Sequence, residues 1–247
     1  MDLGLKDKVA VITGGSGGIG RGLVLEFARE GCNVISASRD DATGRKLAEE
    51  ARQMGLKGRV LALKTDVTRR DSVDAMIAEA HREFGPVDIL VNNAGGVAHP
   101  SDFEKFDEEG RRWEIALNLD GVVNCCQAVA EDMLGRKHGS VINISSNSSL
   151  LGEAAANIVH YGGVKGFVNS FSKALAWEWA KKGVRVNNIC PGWIVTDMLE
   201  PSLAAARDKA AAKRDALRRH ALDRLGQPTD IAAAAVAVLL GTGHDGA

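Results

Sequence analysis

A tyrosine and a lysine lie four residues apart in the motif Tyr-Gly-Gly-Val-Lys at residues 161–165, and apolar residues recur at helical spacing from there to Lys182. The side chains of Tyr161 and Lys165 should therefore share one helix face. A phenol, with a pKa of about 10, exchanges protons poorly at neutral pH. An ammonium about 5 Å away, at an effective dielectric of about 20, favours the phenolate by roughly 3 kcal/mol. We predict that Lys165 lowers the pKa of Tyr161 by about two units and makes it a general acid/base.

A Tyr-x-x-x-Lys pair alone is common on protein surfaces, so its polar neighbours matter. Ser146 follows an apolar strand-like run at residues 140–144, and the motif Asn-Asn-Ala-Gly at residues 92–95 follows another. Both motifs should lie at the carboxyl edge of a parallel sheet, where ligands bind. Asn118 lies within the predicted helix 113–128, where a buried amide needs hydrogen-bond partners. These residues together predict a reactive site.

A glycine-rich turn spans residues 13–20, directly after the first predicted strand and before a helix-period segment. Glycines allow the backbone to turn with positive φ and let a pyrophosphate approach the N–H groups at the positive end of the helix. This position within a βαβ unit predicts a dinucleotide site.

The end of the second strand should meet the adenosine ribose, and it carries Ser38 and Arg39 in place of an acid. A hydroxyl and a guanidinium suit a 2′-phosphate, which favours NADP(H) over NAD(H). The alternative is a solvated Arg39 neutralised by Asp40 and Asp41. Asp66, after the third strand, is interpreted as a partner for the adenine amino group or as a helix cap.

Six short apolar runs that alternate with helix-period segments must position these residues. They are residues 9–13, 33–37, 60–63, 87–91, 140–144 and 184–189. Strands that are apolar on both faces and separated by helices indicate parallel βαβ units. The predicted fold is α/β: a doubly wound parallel sheet, Rossmann-like, with helices on both faces. No linker divides the chain, so we predict a single dinucleotide-binding and catalytic domain over residues 1–247.

The composition limits the kinds of molecule that the protein is expected to bind. The chain has 247 residues, 45% hydrophobic, with a formal charge of −1, which predicts a globular protein without bulk attraction to nucleic acid or membranes. Four cysteines without C-x-x-C spacing and an amino terminus without a long apolar run predict a cytoplasmic protein. Six scattered histidines predict no metal site, and His160 is interpreted either as a solvent-exposed residue or as one that tunes the neighbouring phenol. Trp177 and Trp179 are interpreted as core or subunit-contact residues.

The motifs, in their order and over nearly the whole sequence, resemble the short-chain dehydrogenase/reductase family. The matching positions are the turn at residues 13–20, Asn-Asn-Ala-Gly at 92–95, Asn118, Ser146, Tyr161 with Lys165, and Pro191-Gly192 with Thr196. The resemblance implies that Tyr161 is the general acid/base and that Ser146 orients the substrate carbonyl. It further implies that Lys165 holds the nicotinamide ribose, that Asn118 positions a water, and that Ile194 and Thr196 meet the carboxamide.

The expected activity is the interconversion of a ketone, a 3-oxoacyl thioester or another small carbonyl compound, and a secondary alcohol by an NADPH-preferring enzyme. The alternatives are an NAD-dependent secondary alcohol dehydrogenase and a non-catalytic dinucleotide-binding sensor. The residues expected to bind the cofactor are Gly14, Ser16, Gly17, Gly18, Ile19, Gly20, Ser38, Arg39, Asp66, Val67, Asn93, Ala94, Gly95, Tyr161, Lys165, Pro191, Gly192, Ile194 and Thr196.

Two departures from the family pattern leave alternatives open. Ser146 precedes Tyr161 by fifteen residues, whereas Ser148 has the spacing common in the family and is the reserve candidate for the catalytic serine. The chain ends at Ala247 without the further strand usual in the family, so we expect either a homotetramer or a homodimer.

The segment 193–225 is expected to cover the substrate. Its part from residue 202 to 224 carries a surplus of four positive charges, with seven Lys or Arg against three Asp. This surplus is interpreted either as attraction for an anionic acyl thioester or as a solvated helix.

Overall fold

Six parallel strands form one sheet in the order β3-β2-β1-β4-β5-β6. The computed structural model describes residues 3–152, 157–196 and 222–240, with residues 211, 214, 217 and 218 between the last two ranges. The strands are β1 (Val9–Thr13), β2 (Asn33–Ser38), β3 (Val60–Lys64), β4 (Ile89–Asn92), β5 (Gly139–Ile144) and β6 (Val184–Ile189). The order reverses between β1 and β4, which opens a crevice at the carboxyl ends of these strands. The predicted fold class is confirmed.

Seven helices of the described chain cover the two faces of the sheet. They are α1 (Gly18–Arg29), α2 (Asp41–Gln53), α3 (Arg70–Phe84), α4 (Glu108–Ile115), α5 (Gly121–Arg136), α6 (Val159–Ala180) and α7 (Pro228–Leu240). Alternate residues of β1 enter two apolar layers, Ala10 and Ile12 on one face and Val9 and Val11 on the other. The first layer packs on α1, α2 and α7, and the second on α3, α5 and α6. No described helix is long and apolar enough to cross a bilayer.

Two predicted elements differ from the structure. The fourth strand begins at Ile89 and not at residue 87; just before it, the Asp88 carboxylate accepts the Val9 amide (3.0 Å) and the Asp88 amide donates to the Val9 carbonyl (2.9 Å). The predicted helix 113–128 is interrupted by a π-helical segment, Ala116–Asp120, between α4 and α5. A π-helical turn often marks a functional position, and this one contains Asn118. Most of the predicted covering segment 193–225 lies outside the described residues, so its role stays a prediction.

Candidate active site

The glycine-rich turn connects β1 to α1 and presents free N–H groups at the crevice. Gly14 and Gly18 have φ of 64° and 51°, the left-handed region that glycine tolerates best. A Cβ on Gly20 would lie 2.0 Å from the Gly14 carbonyl oxygen, so the turn can only close around a glycine there. Gly17, the N-cap of α1, has no side-chain cap, and the first helical turn carries no acid. This end of α1 therefore fits an anionic pyrophosphate.

Residues that follow β4 hold this turn in place. The Thr13 hydroxyl accepts the amides of Asn93 and Ala94, both at 3.0 Å. The Asn93 side chain donates to the carbonyls of Thr13 (2.9 Å) and Gly14 (3.2 Å). Asn93, predicted as a cofactor contact, thus also locks the turn to β4. The sequence pattern alone does not indicate this role for Thr13, although a buried Thr at a strand end must find partners.

The glycine-rich turn supports a direct prediction. The Gly20→Ala variant should bind NADPH at least about tenfold more weakly, because its methyl group forces the turn apart from Gly14. Fluorescence titration measures the dissociation constant. The control is Gly135→Ala, a helical glycine in α5 whose added methyl would meet open space; its thermal midpoint should not fall. Unchanged NADPH affinity in the Gly20 variant would contradict the assignment of this turn.

Ser38 and Arg39 lie at the end of β2, on the same edge of the sheet. Ser38 is buried and donates to the Asp40 carbonyl (2.9 Å), whereas Arg39 is exposed. The Asp40 carboxylate accepts the amide (3.0 Å) and hydroxyl (2.6 Å) of Thr43 at the start of α2, and Asp41 pairs with Arg45. Among the described residues, none pairs with the Arg39 guanidinium. The structure thus shows a solvated Arg39 without a direct ion pair to Asp40 or Asp41, and the choice between the two interpretations stays open.

Asp66 and Val67 follow β3. One Asp66 carboxylate oxygen accepts the amide (3.0 Å) and hydroxyl (2.8 Å) of Thr68. Asp66 thus closes a turn before α3 but is not the N-cap residue, which is Arg69. Val67 is buried, and its carbonyl accepts the Asn124 amide (3.0 Å).

Tyr161, Ser146 and Lys165 come together at the carboxyl end of β5. Tyr161 and Lys165 share one face of α6, with the lysine Nζ 5.7 Å from the centre of the tyrosine ring. The Ser146 hydroxyl lies close enough to Tyr161 to lower the pKa of the phenol by hydrogen bonding. Ser148 instead donates its hydroxyl to the Ser146 oxygen (2.8 Å) and its amide to the same oxygen (3.2 Å). The geometry therefore favours Ser146 over Ser148 as the serine that faces Tyr161.

The predicted lowering of the Tyr161 pKa is wrong for this structure. Burial raises the pKa of Tyr161 to about 12 and outweighs the lowering by the Ser146 hydrogen bond, and the Glu114 carboxylate adds a smaller rise. Lys165 does not offset this rise, and its own burial lowers its pKa to about 8. Its Nζ donates to the Ile144 carbonyl (2.9 Å). Burial of both side chains therefore reverses the direction of the pKa shift that the helical spacing predicts for Tyr161.

Asn118 and Gly95 form the floor of the site beside Lys165. The Asn118 oxygen accepts the Gly96 amide (3.0 Å), and its amide nitrogen donates to the carbonyls of Gly96 (2.9 Å) and Glu114 (3.0 Å). A Cβ on Gly95 would lie 2.7 Å from the Asn118 oxygen and 3.1 Å from the Lys165 Nζ. Only a glycine leaves room between these two side chains.

The loop after β6 completes the crevice. The Pro191 carbonyl accepts the Asn147 amide (2.9 Å), which ties this loop to the loop that carries Ser146. Ile194 is buried and forms a parallel bridge with Gly226. The Thr196 side chain lies next to Gly18, since a Cβ on that glycine would be 3.4 Å from the Thr196 methyl group. Pro191, Ile194 and Thr196 thus lie at the crevice, and their contact with the cofactor stays a prediction.

His160 has a buried acidic partner that the sequence did not predict. Its imidazole Nδ1 lies 2.7 Å from a Glu114 carboxylate oxygen, and the side chains are 18% and 1% exposed respectively. The expectation of a solvent-exposed His160 is therefore wrong. A Glu at this helical position is separated from His160 by 46 residues, so no local pattern signals the contact.

Comparison with known proteins agrees with this geometry. The sequence profile described as short chain dehydrogenase matches residues 8–207. The chain is 39% identical to L-fucose dehydrogenase of Bos taurus over 229 residues, covering 93% of this chain and 82% of that protein. The structure of a 7α-hydroxysteroid dehydrogenase with NADH and a 7-oxo bile acid matches with a TM-score of 0.87 and 30% identity, over 96% of this chain and 89% of that one.

A variant of the actinorhodin polyketide ketoreductase, solved with NADPH, matches with a TM-score of 0.85 and 31% identity, covering 96% of this chain and 91% of that chain. The similar structures thus include complexes with either reduced dinucleotide.

Proposed function

We propose, from the premise that the chain belongs to the short-chain dehydrogenase/reductase family, that it interconverts a ketone and a secondary alcohol with NADP(H) as its preferred cofactor. Members of this family are oxidoreductases that act on alcohol and carbonyl groups. The observation that carries the proposal is the meeting of Tyr161, Ser146 and the buried Lys165 beside the glycine-rich turn.

Tyr161 would transfer the proton. A phenol whose pKa is raised to about 12 is fully protonated at neutral pH, which is the form needed to donate to a carbonyl oxygen as it becomes an alkoxide. Reduction of a carbonyl group starts from this protonated form. The Ser146 hydroxyl would donate a second hydrogen bond to the same oxygen and fix its position. The bound nicotinamide supplies or accepts the hydride.

Lys165 and Asn118 would shape the cofactor side of the site. Lys165 would hold the nicotinamide ribose, since its Nζ has two further donors besides the bond to Ile144. Asn118 would fix the loop at Gly95 and Gly96 beside that Nζ. Both amide hydrogens of Asn118 are donated to backbone carbonyls, so a water in a proton relay would have to be held by other groups as well.

The proposed preference for NADP(H) rests on Arg39. This residue is exposed, and the adjacent Asp40 and Asp41 bind Thr43 and Arg45 instead. We expect Arg39→Asp to lower the ratio of kcat/KM for NADPH to that for NADH by about 10- to 100-fold, the worth of a lost charge-assisted hydrogen bond to a phosphate. Arg45→Ala, which removes an exposed arginine paired with Asp41, is the control. A wild-type ratio below one would contradict the preference and favour the NAD-dependent alternative.

The substrate is tested with a panel. Ketones, secondary alcohols and 3-oxoacyl thioesters are each assayed with NADPH, NADH and their oxidised forms by following nicotinamide absorbance. The similarity to a polyketide ketoreductase supports the inclusion of thioesters. Most of the positively charged residues between 202 and 224 lie outside the described residues, so they are not used as support for a thioester substrate. Dinucleotide binding without turnover of any compound would favour the sensor.

We also propose a homotetramer or a homodimer, with an apolar face of α6 as the contact. Trp177 is 85% exposed and Phe167 is 38% exposed, and Phe167 stacks on Phe171 with ring centres 5.7 Å apart. Trp179, in contrast, is buried in the core. Exposed aromatic residues of this kind are typical of subunit interfaces.

A further inference from the structure

We infer that His160, held by Glu114, is a hydrogen-bond acceptor for a hydroxyl group on the substrate carbon next to the reacting carbon. The inference rests on the proposed function and narrows its substrate class to hydroxylated carbonyl compounds and diols. His160 would be a specificity residue, and Glu114 a positioning residue that acts through it.

The His160 imidazole lies in the same cleft as Tyr161. His160 and Tyr161 are consecutive residues in the first turn of α6, and both line one cleft together with Phe103, Phe106 and Glu114. Because both side chains line the same cleft, a small substrate whose reacting oxygen meets Tyr161 would have its neighbouring atoms near His160. Glu114 is close enough for its charge to affect Tyr161.

The pair of His160 and Glu114 is rigid. One Glu114 carboxylate oxygen accepts the Ala98 amide (3.0 Å), and the other lies 2.7 Å from the His160 Nδ1. The imidazole also packs against the Phe106 ring, with ring centres 5.4 Å apart. The carboxylate is fixed by backbone on one side, and the imidazole by an aromatic ring on the other.

The tautomer of a neutral His160 is set by Glu114. A carboxylate only accepts hydrogen bonds, so the Nδ1 of a neutral His160 must carry the proton, and its Nε2 is then an acceptor. Among the described residues, none hydrogen-bonds that Nε2. An acceptor in a cleft that is otherwise partly aromatic selects for a ligand with an O–H group and gives no bond to an ether at the same place.

The test compares substrates that differ in one hydrogen-bond donor. The cis and trans isomers of cyclohexane-1,2-diol and of 2-methoxycyclohexanol are each offered to the wild type as substrates for oxidation. The ratio of kcat/KM for the diol to kcat/KM for the ether is measured for each isomer. We expect the wild-type ratio to be at least about tenfold for one isomer. His160→Phe should bring it to within about twofold of one, because the acceptor is gone.

The Glu114→Gln variant tests which nitrogen of the His160 imidazole carries the proton. The glutamine oxygen should stay on the Ala98 amide, so its NH₂ group faces Nδ1, and the imidazole then carries its proton on Nε2. His160 becomes a donor, which an ether oxygen satisfies as well as a hydroxyl, and the ratio should fall to about one. His99→Phe is the matched control: His99 packs on Phe106 at 5.1 Å but pairs with the exposed Asp107, and this variant should keep the wild-type ratio.

Thermal unfolding and NADPH titration of each variant confirm that it is folded and binds dinucleotide. A wild-type ratio below about two, or a high ratio that His160→Phe does not change, overturns this inference and leaves the proposed function intact. If the wild type oxidises none of these alcohols and reduces no ketone of the panel, the proposed function fails and this inference fails with it.

Discussion

Replacement of Tyr161 by phenylalanine is expected to lower kcat/KM for ketone reduction by about 10³-fold or more, at the upper part of the range for a lost general acid. The substitution removes one hydroxyl and keeps the ring that packs in the cleft. No other tyrosine exists in the chain to replace it. The dissociation constant for NADPH should stay within about threefold of the wild-type value, because the glycine-rich turn and Arg39 are unchanged. Steady-state kinetics and fluorescence titration give the two quantities.

The serine variants serve as the comparison for this prediction. Ser146→Ala removes the hydroxyl that faces Tyr161, whereas Ser148→Ala removes a donor to Ser146 only. The loss of kcat/KM should therefore be larger in the Ser146 variant. A larger loss in the Ser148 variant would reverse the assignment of the catalytic serine. A Tyr161→Phe enzyme with more than about a tenth of wild-type activity would contradict its role as the acid.

The sequence predicted the fold well because apolar patterning and turn chemistry are local. The predicted bounds of β1 and β6 agree with the structure, and the positive φ of Gly14 and Gly18 follows the expectation for the turn. The start of β4 was predicted two residues too early; the Asp88 carboxylate just before it contacts the Val9 amide across 79 residues, which no local pattern indicates.

The electrostatics of the site could not be predicted for a related reason. Helical spacing correctly placed Tyr161 and Lys165 on one face, but it contains no information about how deeply that face is buried. Depth decides the sign of a pKa shift, because desolvation and a neighbouring charge act in opposite directions on a phenol. The contact of His160 with Glu114 is likewise tertiary. Neither residue type indicates it alone, because Glu is mostly exposed in proteins and His is intermediate.

Replacement of Lys165 by methionine is expected to lower kcat/KM by at least about 10²-fold while making the protein more stable at pH 7. The reason is that the ammonium is 3% exposed and, among the residues that the structure describes, has one acceptor, the Ile144 carbonyl. Methionine has a similar length without the charge. Urea unfolding should show a gain of about 2 kcal/mol, from roughly 3 kcal/mol of relieved desolvation less about 1 kcal/mol for the carbonyl left without its donor.

The pH dependence identifies the cause of that gain. Burial lowers the pKa of Lys165 from 10.5 to about 8. Between these values the unfolded chain binds a proton that the folded protein does not, so wild-type stability rises with pH across this window and the penalty is complete below it. Tyr161, whose pKa is raised to about 12, stays protonated through the window. The advantage of the methionine variant should therefore shrink between about pH 8 and pH 10.

Lys173→Met, which removes an exposed lysine of the same helix, should show no such change with pH. An advantage of Lys165→Met that is independent of pH would mean better packing and not relieved desolvation, and a less stable variant at pH 7 would contradict the burial argument altogether. A residue that costs stability in the folded chain and is nevertheless required for turnover is difficult to explain by structure alone. Opposite effects on stability and activity would therefore assign Lys165 to the chemistry of the site more firmly than the loss of activity by itself. Replacement of a lysine with only a structural role would lower both the stability and the activity of the protein.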